Sequence, residues 1–221
     1  MVNSPNNPPG EFYSDEQLAA IAAIAEKHDL LVISDEVYNT LLYTGAKFRS
    51  IAELPGMKAR TVVVNSFSKS YAMTGWRVGY TMADESLIKP MSNFVSHSTG
   101  APATFAQLGA VEALRGPQNQ VEVMRRAFEE RRNLIVDRIN AIPGVSCLKP
   151  EGAFYIMMNL RQLIGQELYG VKIRNADDFA GLFLDRGHVA VVPCTGFAAP
   201  EFVRLSYAVS TDTIQAGMDR L

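Results

Sequence analysis

The sequence predicts an α/β protein over its first half, followed by a smaller α+β domain. Three observations carry that expectation. Two continuous apolar runs, Leu30-Leu31-Val32-Ile33-Ser34 and Thr61-Val62-Val63-Val64-Asn65, have the composition of buried strands. Read together with helical spacing nearby, they predict a mostly parallel sheet covered on both faces. Beyond Pro143-Gly144 the pattern changes to short strands around a helix.

Each element follows from local chemistry. The chain opens on the turn cluster Asn3-Ser4-Pro5-Asn6-Asn7-Pro8-Pro9-Gly10, with only Met1 and Val2 ahead of it to belong to a strand. The expectation is a chain that begins in the middle of a fold. Ser14 and Gln17 form a capping box with Asp15 and Glu16 in the first turn, so a helix starts there. Leu18, Ile21, Ala22 and Ala25 give it one apolar stripe as far as His28. The first strand ends at Asp35, the second runs Thr61 to Asn65, and Arg77 to Met82 is a third candidate. No element is assigned between 83 and 116.

Pro117 opens a long helix with Val121, Met124, Phe128, Ile135, Ile139 and Ile142 on one stripe. Arg125, Arg126, Glu129, Glu130, Arg131 and Arg132 read as the opposite, solvated face, with pairs such as Glu122–Arg126. Val145 to Leu148 and Ala153 to Asn159 read as strands. Asn175 caps a helix bearing Phe179, Leu182 and Phe183, closed by Gly187 at C′. Val189 to Val192 and Val203 to Ala208 are further strands, and Ser210 starts a last helix with Ile214, Met218 and Leu221 on one face. That stripe is still running where the chain stops, which suggests a trimmed end. The domains are thus 1–116, a connecting helix over 117–142, and 143–221.

Composition narrows the function. The chain has 221 residues, enough for one large or two small domains. Lys+Arg is 21 against Asp+Glu 23, a balance without the basic surplus that nucleic-acid binding asks for. Two cysteines and three histidines without metal-ligand spacing exclude a disulfide scaffold and predict no metal site. No apolar run reaches the length of a membrane span, and the start lacks signal-peptide features. The expectation is a soluble cytoplasmic protein.

Four segments carry chemistry. Ser66-Phe67-Ser68-Lys69 through Gly75-Trp76-Arg77-Val78-Gly79 follows directly on a strand, where α/β sheets bind ligands. Ser66, Ser68 and Arg77 can surround a phosphate, and Lys69 can be a covalent partner for an aldehyde. Singly, each also reads as a solvated side chain or a turn. Asp35 ends the other strand, where a carboxylate can hold a protonated ring nitrogen or simply cap a helix, and Tyr38 lies three residues on. Asn7 is either a site residue or ordinary turn chemistry. Arg204, in Phe202-Val203-Arg204-Leu205-Ser206-Tyr207, is either a binding residue or a solvent-facing strand position.

Together these segments resemble the class I/II aminotransferases of the fold-type I pyridoxal phosphate enzymes, in the aspartate-aminotransferase-like branch. The lysine motif of that family is small, apolar, small, Lys, then a spaced Gly and Arg with a small residue after. Residues 66–79 match it throughout. The Asn-Pro-x-Gly turn, the Asp-Glu-x-Tyr segment and the Arg-Leu-Ser strand occur in the family's order. Residues 93–108 resemble the bacterial branch. Pro9 departs from the family's usual Thr, fixing φ and removing a donor, but leaves Asn7 itself unaffected.

The resemblance implies roles. Lys69 would be the Schiff-base lysine and proton shuttle. Asp35 would keep the pyridine nitrogen of pyridoxal 5'-phosphate protonated, and Tyr38 and Asn7 would bond the ring's phenolic oxygen. Ser66, Ser68 and Arg77 would hold the phosphate, and Arg204 the substrate α-carboxylate. Gly152-Ala153-Phe154-Tyr155 also resembles a family segment and reads as packing near the site. The implied activity is amino-group transfer between an amino acid, aspartate or a broad range, and a 2-oxo acid, by a homodimer in its full-length form. A β-lyase or synthase on the same scaffold and a catalytically silent fragment are the alternatives. Family members carry a sizeable stretch before the Asn-Pro turn, so the resemblance covers their C-terminal part, with a correspondingly partial large domain.

Overall fold

The computed structural model describes all residues, 1–221. Its elements are β1 (Val2–Asn3), α1 (Asp15–Lys27), β2 (Val32–Asp35), β3 (Thr61–Ser66), α2 (Phe67–Ser70), β4 (Gly79–Met82), α3 (Glu85–Ser98), α4 (Thr104–Arg115) and α5 (Asn119–Asn140). There follow β5 (Ser146–Cys147), β6 (Tyr155–Asn159), β7 (Glu167–Leu168), β8 (Val171–Lys172), α6 (Ala176–Gly187), β9 (Val192–Pro193), β10 (Phe202–Ser206) and α7 (Thr211–Met218). The chain divides into two compact units. One is Met1–Asn6 with Glu11–Arg125, the other Asn7–Gly10 with Arg126–Leu221. The division falls inside α5, and the turn at 7–10 groups with the second unit. None of the helices is long and apolar enough to cross a membrane.

In the first unit β1, β2 and β3 are parallel neighbours, with Asn3 opposite Asp35 and Asp35 opposite Val64. The fourth strand, β4, is antiparallel to β3 and places Gly79 opposite Ser66. The lysine segment turns the chain straight back on β3, so no crossover helix is available to make this pair parallel. The capping box at Ser14 forms as the sequence predicts, with Gln17 N–H on Ser14 Oγ and Ser14 N–H on the Gln17 side chain. α1 buries Leu18, Ala22 and Ala25 in one cluster with Val2, Val32, Ile51, Leu54 and Met57.

The first apolar strand is less covered than its sequence predicts. Leu31 and Ile33 remain exposed while Val32 and Ser34 are buried. An apolar run needs a layer on each face, and within this unit α1 supplies one for β2.

The stretch without sequence-assigned elements holds two helices. α3 starts at the Asp84 cap, contains Pro90 and buries no residue. α4 buries Ala106 and Ala110 against Phe67, Met73 and Val78. Met91, Phe94, Phe105 and Leu108 are exposed on these two helices. Pro90, Gly100 and Pro102 interrupt the helical pattern and hide both elements from a reading by periodicity.

In the second unit β5, β6, β10 and β9 form an antiparallel sheet in that order, and β7 pairs with β8 as a small hairpin. The sheet residues Ile156, Met158 and Val203 are fully buried. Of the strand expected over 189–192, only Val192 pairs, joined by Pro193. Caps at Asn175 and Ser210 form as expected. Gly187 is not the C′ residue of α6: it is the last helical residue, and His188 takes the left-handed conformation at φ 52°. A Cβ on Gly187 would stand 2.5 Å from the Phe183 ring, so glycine serves close packing there rather than the turn.

Arg132 corrects the reading of α5. The buried positions are Phe128, Arg132, Ile135, Val136 and Ile139. The spacing of four from Phe128 and three to Ile135 puts Arg132 on the apolar stripe, not the solvated face. Arg125 also pairs with Glu122, one turn before it, at 2.8 Å.

Candidate functional site

Within the first unit, the parallel strands β1, β2 and β3 end on the same edge of the sheet. Asp35 closes β2 and Ser66 closes β3. Backbone bonds continue past both ends: Ser4 N–H donates to Asp35 O at 3.1 Å and Glu36 N–H to Val64 O at 2.9 Å. This carboxyl edge is where an α/β sheet presents ligand-binding groups.

Ser66 ends the strand and caps the short helix that carries Lys69. Its Oγ accepts from Ser68 N–H at 3.1 Å and donates to Val78 O at 3.4 Å. The loop is tied back by Thr74 Oγ1 donating to Ser68 O at 3.1 Å and by Met73 N–H on Phe67 O at 3.2 Å. Phe67, Met73 and Val78 anchor it from below in a cluster with α4. Trp76 lies against Gly109 of α4, where an added Cβ would meet the indole at 2.7 Å. Two non-glycine residues in this loop are left-handed, Ala72 at φ 52° and Arg77 at φ 54°. Such backbone costs energy and persists where surrounding structure enforces it, commonly at ligand sites.

The chemistry-bearing side chains sit on this frame. Lys69 Nζ is 5.8 Å from the centroid of the Tyr38 ring. Asp35 Oδ1 accepts from Val37 N–H at 3.3 Å. The exposed Arg77 turns its Nη1 to Thr74 O at 2.9 Å. Lys69, Tyr38, Asp35, Ser66, Ser68 and Arg77 thus all belong to the first unit.

Asn7 and Arg204 belong to the second. Arg204 Nη1 donates to Asn7 Oδ1 at 2.8 Å. The guanidinium carbon lies 4.5 Å from the Tyr155 ring centroid and 5.6 Å from that of Phe197. Aromatic faces hold a guanidinium plane by cation–π attraction and restrict its rotamers. Arg204 is therefore a braced group rather than a free surface charge.

Three further residues belong beside the candidates. Glu36 is 4% exposed, and its Oε1 accepts from Ser34 Oγ at 2.9 Å and Ser50 Oγ at 2.5 Å. Burial pushes its carboxyl above the usual range, against the opposing pull of both hydroxyls. Glu36 directly follows Asp35, so the strand end that singles out Asp35 was also a signal for a carboxylate at the next position. Tyr155 and Phe197 brace Arg204. Tyr155 lay in a segment read as packing, and Phe197, on a 3-10 turn over 194–197, carried no signal of its own. No group of three or more His, Cys, Asp or Glu is placed to hold a metal ion.

The model for the family described as aminotransferase class I and II matches residues 1–221. The chain belongs to the class I and II aminotransferases. Among similar members of the family is the aspartate aminotransferase of Geobacillus stearothermophilus, 46% identical over 222 residues, covering 100% of this chain and 56% of the relative. The asparagine–oxo-acid transaminase of Streptococcus mutans is 43% identical with the same coverage. In structure the chain resembles the aspartate aminotransferase from Rhizobium meliloti, with TM-score 0.95 and 37% identity over 99% of this chain and 56% of that one. This aminotransferase chain therefore spans about half the length of the relatives it matches.

Proposed function

We propose that this chain is part of a pyridoxal 5'-phosphate-dependent enzyme that transfers an amino group between an amino acid and a 2-oxo acid. Aspartate, or a broad range of amino acids, is the proposed donor, since relatives over 40% identical include aspartate aminotransferases. The observation that carries the reading is Lys69 beside Tyr38, on the short helix that follows β3 next to the Asp35 end of β2.

The donor set fits the cofactor. Two hydroxyls and a guanidinium within one loop suit a phosphate, a carboxylate suits a pyridinium nitrogen, and an amine suits an aldehyde. Bound there, pyridoxal phosphate supplies an electron sink for the charge that develops at the substrate Cα. Lys69 would be the lysine whose amine holds the cofactor aldehyde, and it would carry the proton to and from that carbon. Asp35 would keep the ring nitrogen protonated by a charge-assisted bond. Tyr38 and Asn7 are the residues that would bond the phenolic oxygen, and Ser66, Ser68 and Arg77 those that would bond the phosphate. Arg204, held against the Tyr155 and Phe197 rings, would take the α-carboxylate of the substrate with its fork.

The full-length enzyme is proposed to be a homodimer, a reading supported by the exposed apolar residues of α3 and α4. A cytoplasmic location suits its two free cysteines.

The test is the absorption spectrum of the purified protein with added pyridoxal phosphate, beside Lys69→Ala. A visible band that disappears in the variant, with transamination of aspartate by the full-length enzyme, supports the reading. A band unaffected by the substitution refutes the role of Lys69.

A further inference from the structure

Arg132 is a cation on the apolar stripe of α5, 5% exposed. Its Nη1 donates to Pro150 O at 3.1 Å. The other arm meets Asn133 Oδ1 at 3.0 Å and Glu129 Oε1 at 3.4 Å. A guanidinium is costly to bury, and here it is turned toward a loop carbonyl rather than toward solvent.

What the loop does next gives that contact a purpose. The residues after Pro150 present two amides to one oxygen: Glu151 N–H and Gly152 N–H both donate to Gly10 O, at 2.9 and 2.8 Å. Gly10 has φ 76°, and a Cβ on it would stand 2.7 Å from Pro150 Cβ and 2.8 Å from Gly152 O. The turn and the loop are therefore in direct contact. Gly10 closes the turn that begins at Asn7, whose carboxamide meets Arg204. From the other side, Tyr207, three residues past Arg204, donates its hydroxyl to Ala153 O at 3.2 Å and its N–H to Phe154 O at 3.0 Å. Loop 150–154 is thus held by α5 at one end and by Tyr207, just past the strand of Arg204, at the other, and it carries the Asn7 turn.

We propose that Arg132 is a positioning residue: through Pro150 and the amides of Glu151 and Gly152 it fixes the 7–10 turn, and so sets Asn7 against Arg204. The functional consequence rests on the proposed roles of Asn7 and Arg204; the structural relay does not. Arg is required because one planar group spans the loop carbonyl and the helix side chains at once. Lys has a single nitrogen and cannot reach both.

The test is amide hydrogen exchange on the 221-residue chain and on its Arg132→Met and Arg132→Lys variants. Exchange at Glu151 and Gly152 is expected to rise about tenfold or more in Arg132→Met, and less in Arg132→Lys, while amides of the β6–β10 ladder keep their protection. If Arg132→Met does not fold, Arg132→Lys, which keeps the charge and the stem, is the variant read. Unchanged protection at 151–152, or uniform loss across the second unit, overturns the proposal. In the full-length enzyme Arg132→Lys is expected to raise KM for the amino donor more than it lowers kcat, and Asn7→Ala is expected to act in the same direction. A donor KM unaffected by Arg204→Ala would instead remove the carboxylate role of Arg204 and leave the exchange result standing.

Discussion

Arg204 and Asn7 lie 197 residues apart in sequence and are joined by a 2.8 Å hydrogen bond from guanidinium to carboxamide. The bond occupies one arm of the fork, and two aromatic rings restrict the plane of the rest.

Under the proposed function this pair sets donor affinity. Arg204→Lys keeps the charge and loses the bidentate fork, so KM for the amino donor should rise about 10- to 100-fold in the full-length enzyme, with a smaller change in kcat. A cycle with Asn7→Ala should show coupling of about 1 kcal/mol, since the two side chains touch. Steady-state kinetics on the four enzymes measure both.

Glu36 predicts a pH dependence of stability. Its folded pKa is raised by burial, so the folded state holds the proton more tightly than the unfolded chain. The stabilising contribution is complete below the unfolded pKa and is lost as pH rises through the folded one. Glu36→Gln keeps an oxygen to accept from Ser34 and Ser50 and removes the titration. Its urea midpoint should be less sensitive to pH across the mildly acidic range than that of the parent, and higher at neutral pH. Parallel pH profiles for the two proteins would rule this account out.

Gly79 is needed for space rather than for backbone freedom. A Cβ there would stand 2.8 Å from Asn65 O in the paired strand. Gly79→Ala must part β3 from β4 beside Ser66, at a cost of about 1–3 kcal/mol. Urea denaturation followed by tryptophan fluorescence reads this, since Trp76 lies in the same loop.

The two cysteines should be inert in the folded protein. Burial pushes the Cys147 thiol up to about 11, and Cys194 is also raised and has no exposed surface. Cys147 should react with iodoacetamide at neutral pH about 100-fold more slowly in the native protein than in urea, because the thiolate is the nucleophile. Mass spectrometry of quenched aliquots gives both rates.

The local features of this chain were legible because they depend on neighbours a few residues away. The Ser14–Gln17 box and the caps at Asn175 and Ser210 are set by side chains within reach of the first helical amides. The succession of strand, hydroxyl-rich loop and lysine likewise stands in the order of residues 61–77, and with it the identity of the candidate side chains. Pairing and burial were decided elsewhere. β4 runs antiparallel because the loop before it is short, and α3 and α4 were hidden by Pro90, which α3 tolerates in place, and by Gly100 and Pro102 between the two helices. His188, not Gly187, took the left-handed turn because the glycine was needed against Phe183.

Sequence alone determined the candidate groups: an amine, a carboxylate, a phenol, hydroxyls and two guanidinium groups on identifiable strand ends and loops. Tertiary structure alone decided that Asn7 meets Arg204, that Tyr155 and Phe197 brace it, and that Arg132, in a charged run, turns inward to hold Pro150. The physical reason is range. Capping and periodicity act over three or four residues, whereas these contacts exist only after strands and loops remote in sequence have packed, and no local pattern encodes the partner.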